Sequence, residues 1–405
     1  MRKTALLLLA AALPAACRTP AVRRTPPRLN AVERLAPESW PQLADDLEPA
    51  TFAQAGERSI AYLRGKGDAL YRLGDIRVGT QRLIDTIEEL GRLLDRRLPQ
   101  DEFDRRLKED FELFRLNRST TPHSAHYSSY YQPVLEASRV RTEEYPYPLY
   151  RKPPDMIEAR LEDFSDQYKG STLIGRVDET GRFVPYFDRR DIDIRKQLAG
   201  KNLEVAWLKN EFDRLDLHIQ GSGILRYPDG GEALALFAAT NARPYKSVGL
   251  TVVGAGAMTR EEIKAETLRR YLAQHPEGEA WLISQNPRYT FFSVQPMTKD
   301  GEPSGSIGQP LTPGRSIAVD PEFVPLGAVA YVSLTMIQAD GKGGWLGKNP
   351  ARRFVHCQDT GGAIKGPGRV DLYMGHGPQA KATAHSVWDQ GDMYVLLKKL
   401  PGRQR

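Results

Sequence analysis

The sequence predicts a mainly β protein with helices on its N-terminal side, an α+β fold. Hydrophobic residues recur at helical spacing between about residues 48 and 118. Beyond about residue 120, short β-branched and aromatic runs are interrupted by glycine and proline. Fifteen glycines lie between residues 300 and 380, which is typical of β-barrels and sandwiches rather than of alternating βαβ units. A chain of 405 residues has room for two or three domains.

Two helices are predicted most clearly in the N-terminal region. The apolar residues of the first are Leu83, Ile84, Ile87, Leu90 and Leu94, and those of the second are Phe103, Leu107, Phe111 and Phe114. Pro99 and Asp101 mark the start of the second helix. No chemistry is visible in this region, which we interpret as scaffold.

The rest of the chain predicts several short strands. They are Leu250–Val253, Thr290–Val294, Ser316–Val319, Ala328–Leu334 and Arg353–Cys357. One helix is predicted among them, from Arg260 to Gln274.

The basic charge of the protein belongs to its N-terminal tail. Residues 1–30 contain six Lys and Arg and no acidic residue, and the other 51 Lys and Arg equal the 51 Asp and Glu. Residues 31–405 are therefore formally neutral, which argues against nucleic-acid binding. No apolar run approaches the roughly 20 residues that a membrane-spanning helix needs.

The first thirty residues predict export and anchoring. A short basic start, an apolar stretch from Leu6 to Leu13 and small residues before Cys17 predict a signal peptide over 1–16. A cysteine in this position resembles the processing site of bacterial lipoproteins, so we expect Cys17 to be lipidated; a plain secreted protein is the alternative. Residues 17–30 are rich in proline and arginine and predict an extended tether near a membrane surface.

Common catalytic motifs are absent from the sequence. It has no P-loop, no dinucleotide-binding GxGxxG, no HExxH, no CxxC and no GxSxG nucleophile motif. Four residues, His356, Asp359, Asp371 and His376, could be imagined as metal ligands. Their spacing matches no zinc or calcium loop, so we expect no metal and no cofactor.

Three aspartates near strands and glycines remain as candidates: Asp320, Asp359 and Asp371. If Arg369–Tyr373 is a strand, Arg369, Asp371 and Tyr373 share one face. Two structural alternatives compete with a catalytic role. Asp359 could cap a turn before Gly361, and Asp371 could pair with Arg369, which would lower the pKa of its carboxyl group.

Several motifs follow one another over residues 120–405: Ser129–Val134 with Tyr147–Tyr150, Asp216–Gly223, Asn241–Gly249, Asn286–Phe292, Pro310–Asp320 and Asp359–Gly377. In this order they resemble the membrane-bound lytic transglycosylase A family, which cleaves bacterial peptidoglycan. The run Asp359–Gly377 is similar to the family's C-terminal module, named for three aspartates, which would be Asp320, Asp359 and Asp371 here. Ser129 and Ala242 stand where the family usually has glycine, a residue that adopts positive φ at little cost.

The resemblance implies a fold and a division into domains. Residues 31–136 and 285–405 would form a helical region and a double-psi β-barrel that carries catalysis. Residues 137–284 would be an inserted, barrel-like β domain, and a glycan strand would bind between the two. The family's catalytic acid maps onto Asp371, with Asp359 and Asp320 in support.

The implied reaction is non-hydrolytic cleavage of the β-1,4 bond between MurNAc and GlcNAc, with formation of a 1,6-anhydro ring. Sugar contacts are expected from Tyr131, Gln220, Gly221, Ser222, Gly223, Tyr245 and Lys365. For either tyrosine, a buried ring with a bonded hydroxyl is the alternative. A hydrolytic muramidase that uses Asp371 with Asp359, or a non-catalytic glycan-binding lipoprotein, also stays open.

The location that follows is the periplasm of a Gram-negative bacterium, with the N-terminal lipid in the outer membrane. The expected partners are peptidoglycan glycan strands and the membrane, with other cell-wall enzymes as further candidates.

Overall fold

The computed structural model describes residues 31–117, 125–298, 301–339 and 344–400. The predicted signal peptide, Cys17 and the tether lie outside these ranges. In the described ranges the α-helices are α1 (Pro49–Gly65), α2 (Thr80–Asp95), α3 (Gln100–Asp110), α4 (Glu211–Gln220), α5 (Val248–Gly254), α6 (Ala265–Gln274), α7 (Pro276–Ser284) and α8 (Gly377–Ser386). None of these helices is long and apolar enough to span a bilayer.

The strands make up most of the remaining regular structure. In chain order they are β1 (Val32–Arg34), β2 (Leu70–Leu73), β3 (Ile76–Gly79), β4 (Phe111–Leu116), β5 (Ala125–Gln132), β6 (Val134–Ser138), β7 (Tyr147–Tyr150), β8 (Ile157–Arg160), β9 (Thr172–Val177), β10 (Phe183–Pro185), β11 (Glu204–Leu208), β12 (Ser222–Arg226), β13 (Glu232–Thr240), β14 (Thr290–Pro296), β15 (Ser316–Ala318), β16 (Val329–Ala339), β17 (Trp345–Asp359), β18 (Arg369–His376) and β19 (Trp388–Lys398).

Six strands close into a barrel. Their order is β19–β16–β17–β15–β18–β5, and β5 pairs again with β19. Two of the pairings, β15 with β17 and β18 with β5, are parallel, and the other four are antiparallel. Strands β4 and β1 extend the sheet from β19. The predicted mixture of helices and a β-barrel is confirmed.

Alternation along the strands fills the barrel with apolar side chains. Val370 and Leu372 of β18 are buried in the main core, and Asp371 between them points to the other face. The same core includes apolar residues of α1, α2 and α3, such as Phe52, Leu83 and Phe103. The N-terminal helices are therefore scaffold packed on the barrel.

A second sheet follows directly from the barrel. The chain leaves β5, passes Pro133 and enters β6, which is the fourth strand of a sheet ordered β14–β13–β12–β6–β11–β7. The edge strands β14 and β7 approach each other, so this sheet curls strongly. Its strands run from Val134 to Pro296, slightly beyond the predicted limits of 137 and 284. Small sheets of β8–β10 and β2–β3 complete the fold.

Two local predictions were wrong. Leu250–Val253 is not a strand but part of α5, because Ser247 caps this helix by accepting a hydrogen bond from the Leu250 amide and because Val252 packs into a helical core. Phe111 and Phe114 do not continue α3. They lie in β4, which pairs with β19 and buries both rings in the main core.

Most of the remaining predictions for regular structure agree with the fold, although the β2–β3 hairpin lies inside the region predicted to be helical. The first predicted helix corresponds to α2, the start of the second to α3, and the end of the third to α6. Four predicted strands correspond to β14, β15, β16 and the last part of β17.

A glycine at the closure of the barrel provides a test of this architecture. Gly391 lies where β19 turns from pairing with β5 to pairing with β16, and an added Cβ would lie 2.1 Å from the carbonyl oxygen of Ser333. We expect Gly391→Ala to lower the free energy of unfolding by about 1–3 kcal/mol, measured by denaturant titration. Gly278→Ala in α7, where nothing lies within 4 Å of the added atom, should be neutral or stabilising. Equal stability of the two variants would contradict the close approach at Gly391.

Candidate active site

Strand pairing places Asp371 at the centre of one outer face of the barrel. Its strand β18 lies between β15 and β5, and Asp371 is opposite Ala318 on one side and Ser128 on the other. Ala318 is also the register partner of Asp359 at the end of β17. Asp359 and Asp371 therefore flank the same residue of β15, although twelve positions separate them in the sequence.

The carboxyl group of Asp371 has a raised pKa. Burial is the main cause, because it disfavours the charged form. A hydrogen bond from Ser128 Oγ to Asp371 Oδ1 (2.5 Å) and the charge of Arg369 act in the opposite direction, whereas the charge of Asp359 raises the pKa further. Arg369 itself donates to Ser128 Oγ at 2.8 Å. The net result is a pKa above the ordinary value, not the lowered pKa expected of an arginine's partner.

Both carboxyl oxygens of Asp359 accept hydrogen bonds. Tyr130 donates to Oδ2 at 2.7 Å, and the amide and hydroxyl of Ser306 donate to Oδ1 at 3.0 and 2.8 Å. In all three hydrogen bonds Asp359 is the acceptor, which is the role of a carboxylate. Asp359 is thus more than a turn cap, because it joins β5, β17 and the loop before β15.

Asp320 has a different environment from the other two aspartates. It is only 4% exposed, and its carboxyl group accepts the amides of Gly366 (2.7 Å) and Glu322 (3.2 Å). The bond from Gly366 holds the loop between Asp359 and Arg369, on which Lys365 is exposed, and the bond from Glu322 closes the turn after Asp320. Asp320 fixes the shape of this loop.

The predicted sugar contact of Tyr131 does not agree with its position. The ring is 2% exposed, lies edge-on to His385, and its hydroxyl donates to Asp216 Oδ2 at 2.5 Å. A ring without an open face cannot stack on a pyranose. The alternative stated from the sequence, a buried ring with a bonded hydroxyl, describes Tyr131 correctly.

Tyr131 and Gln220 instead join the barrel to the second sheet. Gln220 ends α4, accepts the amide of Tyr131 through Oε1 (3.2 Å) and donates through Nε2 to Asp216 (3.2 Å). Gln220 remains partly exposed, so it lies at the junction of the two parts of the fold.

The two glycines after Gln220 are each required by the local structure, for different reasons. Gly221 terminates α4 with φ +84°, a left-handed conformation that glycine adopts readily. An added Cβ at Gly223 would lie 2.6 Å from Leu217. Ser222 is buried between them. Tyr245, by contrast, is 47% exposed and has a ring available to a ligand.

The four residues considered as metal ligands are not brought together. Asp359 and Asp371 share the outer face, but His356 is buried in the core beside Phe52 and Ser59. Burial lowers the pKa of His356 to about 3. His376 is the last residue of β18, and its Nδ1 lies 3.7 Å from Oε1 of Glu302.

Comparison with known proteins agrees with this geometry. The family model of the MltA specific insert domain matches residues 126–293, and that of the 3D domain matches residues 315–397. Together they span more than half of the chain. The chain belongs to the membrane-bound lytic transglycosylase A (MltA) family.

Individual MltA relatives are similar at moderate identity. Membrane-bound lytic murein transglycosylase A of Escherichia coli (strain K12) is 28% identical over 278 residues, which are 68% of this chain and 66% of that protein. Its counterpart in Vibrio cholerae is 26% identical over 273 residues, 67% of this chain and 64% of that protein. The alignments thus span slightly less than two thirds of these relatives.

Solved structures extend the likeness to the whole fold. The crystal structure of a membrane-bound lytic murein transglycosylase from Agrobacterium tumefaciens has a TM-score of 0.70 and 26% identity, covering 91% of this chain and 98% of that one. E. coli MltA with bound chitohexaose has a TM-score of 0.62 and 21% identity, with 89% and 94% coverage.

The two departures from the MltA pattern behave differently. Ala242 adopts φ +55°, the conformation for which the family's usual glycine is suited. Ser129 lies in the regular strand β5, and its hydroxyl donates to the carbonyl of Ala384 at 2.9 Å.

Sequence reasoning missed three residues of the site. Ser128 and Ser306 bond to Asp371 and Asp359, and the guanidinium of Arg288 lies so close to Gly362 that an added Cβ there would be 2.4 Å from Nη2. Arg288 lies just before β14 of the second sheet. Its contact with Gly362 therefore joins the second sheet to the loop after Asp359. Ser128 reaches the site through strand pairing, whereas Ser306 and Arg288 reach it from the segments before β15 and β14. Single residues of these types carry no sequence signal for such contacts.

Opposite changes in the pKa of Asp371 are expected from two variants. Ser128→Ala removes a donor that stabilises the carboxylate, so the pKa should rise; Asp359→Asn removes a negative charge, so it should fall. The pKa can be followed by ¹³C NMR of the Asp371 carboxyl group. Ser129→Ala is the matched control and should leave the value unchanged. Shifts of the same sign in both variants would contradict this description of the site.

Proposed function

We propose that this protein is a lytic transglycosylase that cleaves the β-1,4 bond between MurNAc and GlcNAc in peptidoglycan. The family assignment supports the substrate class, since its MltA relatives are named lytic murein transglycosylases. Asp371 supports the chemistry, because burial raises the pKa of its carboxyl group, the direction of shift that a general acid requires.

The reaction needs one carboxyl group that acts twice. Protonated Asp371 donates its proton to the oxygen of the glycosidic bond, and the bond from this oxygen to C1 of MurNAc breaks. The C6 hydroxyl of the same MurNAc attacks C1 and closes the 1,6-anhydro ring. The Asp371 carboxylate takes the hydroxyl proton and returns to its starting form. Attack from within the substrate carries a large proximity advantage over attack by water.

The bonding of Asp359 is the observation that favours this reaction over hydrolysis. A hydrolase needs a second carboxyl group free to act as base or nucleophile. Both oxygens of Asp359 are engaged by Tyr130 and Ser306, so its proposed role is electrostatic. Its negative charge adds to the rise in the pKa of Asp371 that burial causes, and it would stabilise the positive charge that develops at C1.

The glycan strand is proposed to bind between the barrel and residues 137–284. Gln220, at the junction of the two parts, and the exposed rim residues Tyr245 and Lys365 would contact sugars. Gly221, Ser222 and Gly223 form the turn and strand start beside Gln220. The amide of Gly221 already donates to the carbonyl of Leu217 at 2.9 Å, so these residues would shape the surface beside Gln220 rather than supply that donor. Asp320 would act indirectly, by fixing the loop that carries Lys365.

We also propose that the six-stranded barrel is of the double-psi type. Two parallel strand pairs within a closed ring of six are compatible with that topology. In this proposal residues 31–136 and 285–405 are the catalytic domain, and the second sheet belongs to the inserted domain.

The proposed location is the periplasmic side of the outer membrane of a Gram-negative bacterium. The relatives named membrane-bound support an association with a membrane. Lipidation of Cys17 would provide the anchor, and the segment 18–30 would allow the body to reach the cell wall. Other cell-wall enzymes remain candidate partners.

Products from purified sacculi test the proposed function. Wild-type protein should release fragments with anhydro ends, lighter by one water than hydrolysed ends in mass spectrometry. Asp371→Asn should abolish release, because the amide has no acidic proton, while binding to sacculi persists. Asp229→Asn, in an exposed turn, is the control and should stay active. Reducing ends would identify a muramidase instead, and wild-type binding without cleavage would identify a non-catalytic binding protein.

A further inference from the structure

A solvent-exposed tryptophan lies beside the proposed acid. Trp388 is the first residue of β19 and is 75% exposed. Tryptophan buries a large apolar area in most folded proteins. An indole left open to water on a working face of a protein is therefore a candidate contact for a ligand.

Strand register places Trp388 and Asp371 on the same face. Trp388 is directly opposite Ser128 in the antiparallel pair of β19 and β5, and Ser128 is the register partner of Asp371 in β18. Side chains of directly opposed residues project to the same side of a sheet, and the bond from Ser128 to Asp371 shows that this also holds across the parallel pair. Two strand spacings separate Trp388 from Asp371, about 10 Å between their backbones.

Neighbouring side chains hold the indole in place. His126 contacts it edge-to-face, with 4.4 Å between ring centroids, and the guanidinium of Arg369 lies 5.9 Å from its centroid. His126 and Arg369 are two residues before Ser128 and Asp371 in their strands, so they share the same face. A ring that is already fixed loses little conformational entropy when a ligand stacks on it.

We propose that Trp388 is a sugar-stacking residue, which binds a pyranose ring of the glycan strand next to the bond cleaved at Asp371. This inference rests on the proposed function. A pyranose has one face rich in C–H groups that packs on an aromatic ring, and hydroxyls at its rim that bond to polar neighbours. His126, Arg369 and Ser128 provide such polar groups around the indole, whereas a membrane or an apolar protein partner would require apolar residues there.

The position fits a linear substrate. The face runs from Trp388 of β19 through Ser128 of β5 to Asp371 of β18, and one or two linked pyranose rings span the distance between Trp388 and the acid. Trp388 would therefore hold a sugar one or two units from the cleaved bond and fix the register of the strand. Loss of the indole should weaken substrate binding more than it lowers the rate at which bound substrate is cleaved.

Binding of a soluble GlcNAc–MurNAc oligosaccharide, measured by calorimetry in the inactive Asp371→Asn protein, tests this role. Trp388→Ala should raise Kd by about tenfold, and Trp388→Tyr should restore most of the affinity because it keeps an aromatic face. Trp345→Ala is the matched control. Trp345 is also exposed (48%), but it lies at the opposite end of the 15-residue strand β17 from Asp359. Because it is far from the site, its removal should not change Kd.

Activity in the otherwise wild-type protein separates this inference from the proposed function. Trp388→Ala should raise KM for the oligosaccharide with a smaller change in kcat, at an unchanged thermal unfolding midpoint. If wild-type protein releases anhydro products but Trp388→Ala and Trp345→Ala bind and cleave alike, the stacking role is wrong and the proposed function stands. If wild-type protein releases none, the proposed function fails, and an unchanged Kd in Trp388→Ala would then also reject Trp388 as a binding residue.

Discussion

Partial burial of one carboxyl group is the constraint on which the rest of the site depends. Closure of the barrel fixes β18 between β15 and β5, and this arrangement removes water from around Asp371, an effect that the nearby charge of Arg369 offsets only in part. A carboxyl group in such a position keeps its proton more strongly than it does in water. The pairing of Ser128 with Arg369 limits this effect, so that the group stays able to release and regain a proton.

The three aspartates of the C-terminal module divide the work between them. Asp371 is the group with the raised pKa, Asp359 is the carboxylate held by Tyr130 and Ser306, and Asp320 binds the backbone of the intervening loop. Three identical side chains thus acquire different properties from burial and from their donors. This division is what allows a single acid, rather than a pair of equivalent carboxyl groups, to carry the proposed reaction.

Local patterns in the sequence were sufficient for α2, α3 and four strands, because amphipathic spacing and glycine placement depend on near neighbours. Long-range pairing was not predictable in the same way. Ser128 and Asp371 are 243 positions apart, and Tyr130 and Asp359 are 229 apart. Tertiary context also decided the failures: Phe111 pairs with β19, and Tyr131 is covered by α8. The family motifs indicated the three aspartates, but only the register shows why each differs.

The most direct test of the central claim compares the stability of wild type and Asp371→Asn across pH. A carboxyl group whose pKa is higher in the folded than in the unfolded protein stabilises the fold below its unfolded value, about 3.9, and loses this contribution as pH rises through the folded pKa. Wild type should therefore lose stability relative to Asp371→Asn as the pH rises above about 3.9, the unfolded value. The variant shows no such loss from this position, because asparagine does not titrate. A difference that stays constant with pH, or that favours wild type towards neutrality, would show that Asp371 is not held in its protonated form.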